Sequence, residues 1–238
     1  MEQMIEVQQL YKKFGKLVVL DELNLTIKSG GVFAILGPNG SGKTTLIKCI
    51  LGMVNPQRGN IRFSDEEILG KSTYRNKINY MPQIANFPAN LEVQELIDMV
   101  KNLRPKTANE VELIQLFGLE PFLNKKLGNL SGGTKQKVNI VLAFMFDSEL
   151  IILDEPTNGL DPVALIHLKE LIQKEKGKGK TIIITTHIMS LVDEIADEIV
   201  FLLDGKIYFK GTVPDLKRQT SETNLERAIA QLLQRNHV

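Results

Sequence analysis

Gly37-Pro38-Asn39-Gly40-Ser41-Gly42-Lys43-Thr44-Thr45 packs glycines, hydroxyls and one lysine into nine residues, and its spacing satisfies G-x-x-x-x-G-K-[ST]. Glycines let the backbone curl until successive N–H groups point inward at an anion. A helix that starts immediately afterwards adds its positive N-terminal end. In such a loop Lys43 would reach the β- and γ-phosphates of a nucleotide, and the Thr44 hydroxyl would bind Mg²⁺. The flanks suit the motif. Val32-Phe33-Ala34-Ile35-Leu36 precedes it as an apolar strand, and Leu46, Ile47, Ile50 and Leu51 follow at helical spacing.

Other segments carry groups that could act on a phosphate. Leu150-Ile151-Ile152-Leu153-Asp154-Glu155 is an apolar run ending in two acids, as a central parallel strand would. Asp154 could hold Mg²⁺ through water or through Thr44. Glu155 could polarise an attacking water as general base. Thr181-Ile182-Ile183-Ile184-Thr185-Thr186-His187 is a second buried strand whose terminal histidine could meet a γ-phosphate; His167 and His237 have no comparable setting. Gln83 ends the strand Ile78-Asn79-Tyr80-Met81-Pro82, where ligand-binding side chains gather in open α/β sheets, although an ordinary loop glutamine fits the residues as well. Phe14 could stack on a base or be a core aromatic.

Leu130-Ser131-Gly132-Gly133-Thr134-Lys135-Gln136-Lys137 opens a helix that runs through Val138, Val141, Leu142 and Met145, with Ser131 as N-cap. Two glycines just inside a helix start cost ~1 kcal/mol each against alanine. A simple cap does not explain them; close approach of the backbone to a ligand does. Asp161 caps a further helix with Pro162 at its first position.

Several elements must position these groups. Residues 5–9 and 23–27 alternate as antiparallel strands, with Leu10 to Gly15 expected as an aromatic turn between them. Asn55 to Gly59 is a turn and Asn60 to Phe63 a short strand. From about residue 84 to 146 no strand pattern appears, which predicts a helical insertion. One helix carries Leu91, Leu96, Ile97 and Val100. Another, boxed by Thr107-Ala108-Asn109-Glu110, carries Val111, Ile114 and Phe117 and stops at Gly118. The lysine-rich run 174–180 reads as a solvated connector. Ile199 to Phe209 reads as a hairpin turned by Asp204-Gly205, and Ser221 to Gln234 as a closing amphipathic helix. The whole is one domain over residues 1–238, with a C-terminal hairpin and helix over about 199–238.

Composition narrows the class. The 238 residues carry a net charge of +1, so no global basic field points to nucleic acid. The single cysteine, Cys49, excludes an intrachain disulfide. No apolar run approaches the ~18 residues of a membrane span, and Met1 to Met4 lacks the build of a signal peptide. A cytosolic protein, held at a membrane only by a partner, is the expectation.

Taken together the motifs resemble the ATP-binding subunit of ABC transporters, over about residues 4 to 212. Gly37 to Thr45 is similar to the Walker A loop, Leu150 to Glu155 to the Walker B strand, and Gln83 to the Q-loop glutamine. Leu130-Ser131-Gly132-Gly133 is similar to the LSGGQ signature, Asp161 to the D-loop, His187 to the switch histidine, and Phe14 to the aromatic that stacks on adenine. The resemblance implies an α/β P-loop NTPase with a mainly parallel central sheet, an N-terminal antiparallel β subdomain and a helical insertion. It implies ATP and Mg²⁺ as ligands, with two domains paired head to tail, either two copies or one copy with a homologous ATPase subunit.

In that pairing Lys43, Gln83, Glu155 and His187 would be catalytic, and Thr44, Gln83 and Asp154 would hold the metal. Phe14, Gly37, Pro38, Asn39, Gly40, Ser41, Gly42, Lys43, Thr44 and Thr45 would bind the nucleotide from one side. Ser131, Gly132, Gly133 and Asp161 would bind it from the other. An integral membrane permease would dock on the helical insertion, leaving the chain peripheral on the inner face of the cell membrane, with no nucleic acid partner. One departure is Thr134, where the signature has glutamine; slower or altered coupling is the most it implies. Within the family the chain resembles subunits of bacterial export-type transporters, and also the copper-processing systems of nitrous oxide reductase maturation. Two alternatives stay open. ABC proteins acting on ribosomes or DNA usually carry two ATPase domains or a long coiled coil, neither seen here. A non-hydrolysing switch would sit poorly with Glu155 and His187 both present.

Overall fold

The computed structural model describes residues 3–104 and 106–236; His237 lies outside them. In chain order the strands and helices are β1 (Gln3–Phe14), β2 (Leu17–Lys28), β3 (Gly31–Leu36), α1 (Lys43–Ile50), β4 (Arg58–Phe63), β5 (Glu66–Glu67), β6 (Ile78–Met81), α2 (Val93–Leu103), α3 (Glu110–Leu116), α4 (Gly132–Phe144), β7 (Leu150–Asp154), α5 (Pro162–Gly177), β8 (Thr181–Thr185), α6 (Met189–Ile195), β9 (Glu198–Leu203), β10 (Lys206–Gly211), α7 (Val213–Thr220) and α8 (Leu225–Asn236).

Two sheets result. The first is antiparallel, in the order β2-β1-β4-β5; the second runs β10-β9-β3-β8-β7-β6, parallel except for its edge strand β10. The near-continuous apolar runs in β3, β7 and β8 follow from this arrangement, because helices or the other sheet cover both faces of the parallel strands. One apolar cluster lies between that sheet and α2, α3, α4 and α5, where Val93, Ile97, Leu113, Val141, Leu153 and Ile184 meet. A second fills the space between the two sheets around α1, where Cys49 is buried. A third seats α7 and α8 on β9 through Leu216, Leu225 and Phe201.

The topology has one consequence for function: β8 lies between β3 and β7. The strand that leads to His187 therefore separates the strand that enters the glycine loop from the strand that ends in the two acids. All three deliver their C-terminal ends to one edge of the sheet, the edge where open α/β sheets bind ligands.

Several sequence expectations need correction. β1 continues through Leu10 to Phe14, so the turn is confined to Gly15 and Lys16. Gln9 does not extend the buried row of Ile5 and Val7. Its φ of 46° makes a bulge, its N–H bonds Asn24 Oδ1 at 2.9 Å, and Leu10 takes the buried place. Such an extra residue reverses the facing of everything beyond it. The expected capping box at Thr107–Glu110 does not form. Helix α3 starts at Glu110, whose carboxylate pairs with Lys101 of α2 instead. Boxes form elsewhere, with Glu95 accepting from Glu92 N–H and Thr212 exchanging bonds with Asp215. Leu91 precedes α2, and the closing helix starts at Leu225, because Ser221 (φ 56°) ends a separate helix, α7.

Candidate nucleotide site

The chain leaves β3 through Gly37 and re-enters regular structure at Lys43, the first residue of α1. Gly42 caps that helix with φ 109°, and a Cβ there would lie 2.7 Å from Val19 O; no other residue type serves. The Lys43 ammonium reaches back across the loop to donate to Gly37 O at 2.7 Å and Pro38 O at 3.0 Å. Ser41 Oγ, buried in the same loop, has no protein partner among the described residues. Burial lowers the Lys43 pKa against the opposing pull of Glu155 and Asp154. A half-desolvated cation at the mouth of an N–H-lined loop is a site for a polyanion.

Asp154 is nearly inaccessible at 2% exposure, and each carboxylate oxygen has a hydroxyl donor. Thr44 Oγ1 approaches Oδ2 at 3.4 Å, and Thr185 Oγ1 bonds Oδ1. Register explains the second contact, since Asp154 and Thr185 are paired across β7 and β8. Thr44 and Asp154 together offer hard oxygen donors beside the loop, which suits Mg²⁺ held partly by phosphate and water.

Glu155 takes the unusual backbone conformation φ 50° just past the strand end. Its N–H donates to Thr185 O (3.0 Å) and Thr185 Oγ1 (3.1 Å). Left-handed backbone at a non-glycine residue is sterically costly and persists where surrounding bonds enforce it. The Glu155 side chain lies 2.8 Å, Oε2 to Nδ1, from His187, whose own side chain is largely exposed. Burial raises the Glu155 pKa, more than His187 and Lys43 pull it down. A carboxylate made more basic by burial is suited to take a proton from water.

Lys43, Thr44, Asp154 and Glu155 face a common cavity of about 340 Å³ whose wall runs from Phe14 and Asn39 to Gln83, whereas His187 lines a neighbouring hollow with Ser190 and Asn224. Phe14 is no core residue: it stands at the β1–β2 hairpin tip, 49% exposed, with Lys12 Nζ 4.8 Å from its ring centre. An aromatic so placed can stack on a base, a contact worth about 1–3 kcal/mol. Phe14→Ala is expected to weaken ATP binding about tenfold or more in a fluorescence titration while leaving pyrophosphate affinity unchanged. Equal loss for both ligands, or for neither, would remove Phe14 from base recognition.

Ser131, Gly132, Gly133 and Asp161 do not line this cavity. Ser131 caps α4, accepting from Thr134 N–H at 3.2 Å, and its hydroxyl is 2.8 Å from that of Thr134. The glycine pair has two different explanations. A Cβ at Gly133 would sit 2.5 Å from Gly159 O, so close packing within the chain demands glycine there. Gly132 faces open space, as approach by a ligand from outside would need. Asp161 caps α5 through Ala164 N–H (2.8 Å) and pairs with Lys137 of α4 (2.7 Å).

Three contributors escaped the sequence reading. Thr185 is a polar residue at the end of an apolar strand, a signal that could have been used. Gln136 and Asn139 are buried amides on α4, whose Nε2 and Nδ2 groups, respectively, donate to backbone carbonyls near the site. Because α4 is buried on most of its circumference, its apolar periodicity is weak and these amides are not marked by it.

The family model described as ABC transporter matches residues 20–158. The Lantibiotic transport ATP-binding protein SrtF of Streptococcus pyogenes is 34% identical over 208 residues, covering 86% of this chain and 89% of that protein. The Bacitracin transport ATP-binding protein BcrA of Bacillus licheniformis is 33% identical over 228 residues, 92% of this chain and 73% of that one. Among solved structures, an ATP binding subunit of an ABC transporter superposes with TM-score 0.89 at 32% identity, covering 97% of this chain and 99% of the other. A dimeric ATP-binding cassette in a post-hydrolysis state, bound to ADP and Pi, superposes with TM-score 0.78 at 27% identity over 88% of this chain and 98% of its own.

Proposed function

Since the chain belongs to the ABC transporter family as an ATP-binding domain, we propose that it hydrolyses ATP between two head-to-tail copies, or between itself and a homologous subunit, to power a separate membrane permease. That it is an ATPase of this family follows from its relatives. The residue roles are inferred from geometry. The observation that carries them is the division of the candidate residues: phosphate loop, Gln83, acids and Phe14 share one cavity, and the Ser131 helix start lies outside it. A ligand that needs both sets needs two chains.

In this reading the loop 37–45 and Lys43 bind the β- and γ-phosphates, and Phe14 holds the adenine. Thr44, Asp154 and Gln83 would hold Mg²⁺, which neutralises charge on the phosphate oxygens. Glu155 accepts the proton of the attacking water. His187, bonded to the Glu155 carboxylate, orients it and would meet the γ-phosphate once the nucleotide is bound. The partner's Ser131 hydroxyl and Gly132–Gly133 amides meet the same phosphate from across the interface. Thr134 shortens the signature side chain and engages the Ser131 hydroxyl, so that contact must be exchanged when the partner's nucleotide arrives.

A permease is supported by exposed apolar side chains of the helical insertion. Ile84 is 71% exposed, and Leu103 at the end of α2 is 74% exposed. No helix among the described residues is long and apolar enough to cross a membrane, so the transport path would belong to the partner. Relatives named for lantibiotic and bacitracin transport and for Nod factor export favour an exporter over copper processing.

Purified chain supplied with MgATP is expected to release phosphate slowly, to stop when EDTA is added, and to accelerate when reconstituted with its permease. Turnover that ignores EDTA, or none with the permease present, would overturn the proposal.

A further inference from the structure

We propose that Gln136 is a positioning residue that ties the interface end of α4 to the Glu155 backbone of its own chain, so that each half of the dimer reports its partner's nucleotide to its own general base. The inference rests on the reading of Glu155 and of the Ser131 helix start given above. Gln136 is buried at 7% exposure, one turn into α4 from Gly132 and Gly133. Its Nε2 donates to Pro156 O at 3.0 Å and reaches Glu155 O at 3.4 Å. Those carbonyls belong to the residue held at φ 50° and to the one after it, and the N–H of the former is fixed from the other side by Thr185. Glu155 thus hangs between two clamps, one from β8 and one from α4.

One turn further along α4, Asn139 Nδ2 donates to Pro82 O at 2.9 Å, the carbonyl immediately before Gln83. A single helix therefore begins at the residues that meet the partner's nucleotide and holds the backbone beside both Gln83 and Glu155. A shift of α4 along its axis on closure moves these carbonyls with it, because buried amides cannot give up their partners cheaply. The chemical need is orientation: a general base misdirected by about 1 Å loses much of its rate.

The test uses Gln136→Met, of similar shape without donors. It is expected to lower kcat for ATP at least tenfold, with KM and nucleotide affinity within twofold and the Hill coefficient falling towards one. Normal kcat in the folded variant would overturn the proposal. A merely structural glutamine is separated by placing Gln136→Met in a Glu155→Gln background. There the residual rate and the ATP-induced dimer should not change further, since the group being positioned is already gone; a weakened dimer would contradict the positioning role. Should the Met variant fail to fold, the Gln136 side-chain amide resonance in Glu155→Gln protein remains available: it must shift when MgATP pairs two copies, and an unmoved signal overturns the inference. If Glu155→Gln itself keeps normal turnover, the earlier reading of Glu155 has failed. If it loses turnover while Gln136→Met does not, only the present inference has.

Discussion

Glu155→Gln is expected to lower ATP hydrolysis at least about a hundredfold, the usual contribution of a positioned general base, while ATP binding survives. The substitution keeps the volume and the hydrogen-bonding reach of the side chain. It removes only the ability to take up a proton. The carboxylate is 2.8 Å from His187 and buried enough to be more basic than an exposed glutamate, so its loss is felt at the proton-transfer step rather than in folding. The raised pKa also predicts that wild-type activity falls on acidification from a higher pH than an ordinary glutamate would give, because the base must be ionised to act. With hydrolysis blocked and binding intact, MgATP should accumulate a dimer visible by light scattering. A variant that stays monomeric in ATP, or turns over at the wild-type rate, would take Glu155 out of the mechanism.

The second large effect is expected at Lys43. Lys43→Ala should reduce hydrolysis to background and weaken ATP binding by more than tenfold, in line with hydrogen bonds to charged groups worth roughly 1.5–3 kcal/mol each. Folding should be little affected. The ammonium is half-desolvated, its pKa is lowered by that burial, and its partners are two loop carbonyls that water can satisfy. Isothermal titration and a melting curve separate the outcomes. Lost affinity with an unchanged Tm supports the phosphate assignment; unchanged affinity and rate would refute it.

The parts of the fold that depend on local rules could be foreseen. The strand–glycine loop–helix of residues 31–50, the apolar strands β7 and β8, the Ser131 and Asp161 caps and the Asp204-Gly205 hairpin all appear where residue type and spacing put them. What failed depended on distant partners. Gln9 breaks the alternation of β1 because Asn24 of the next strand captures its N–H. Thr107–Glu110 looks like a capping box, but Lys101, nine residues earlier on the neighbouring α2, claims the glutamate.

At the site, the residue types identified a nucleotide cradle, but nothing in them revealed that β8 would lie between β3 and β7. That placement, set by tertiary packing, is what brings Thr185 onto Asp154 and His187 onto Glu155. The glycine pair shows the same division. Gly132 suits the anticipated approach by a ligand, whereas Gly133 answers to Gly159, a neighbour only in the folded chain.

The central claim is that one nucleotide is shared by two chains, and a crystal structure of Glu155→Gln grown with MgATP tests it most directly. Each γ-phosphate should be bonded by Lys43 of one copy and by Ser131 and Gly132 of the other, with Phe14 against the adenine. ATP enclosed by a single chain, with Ser131 facing solvent, would contradict the account.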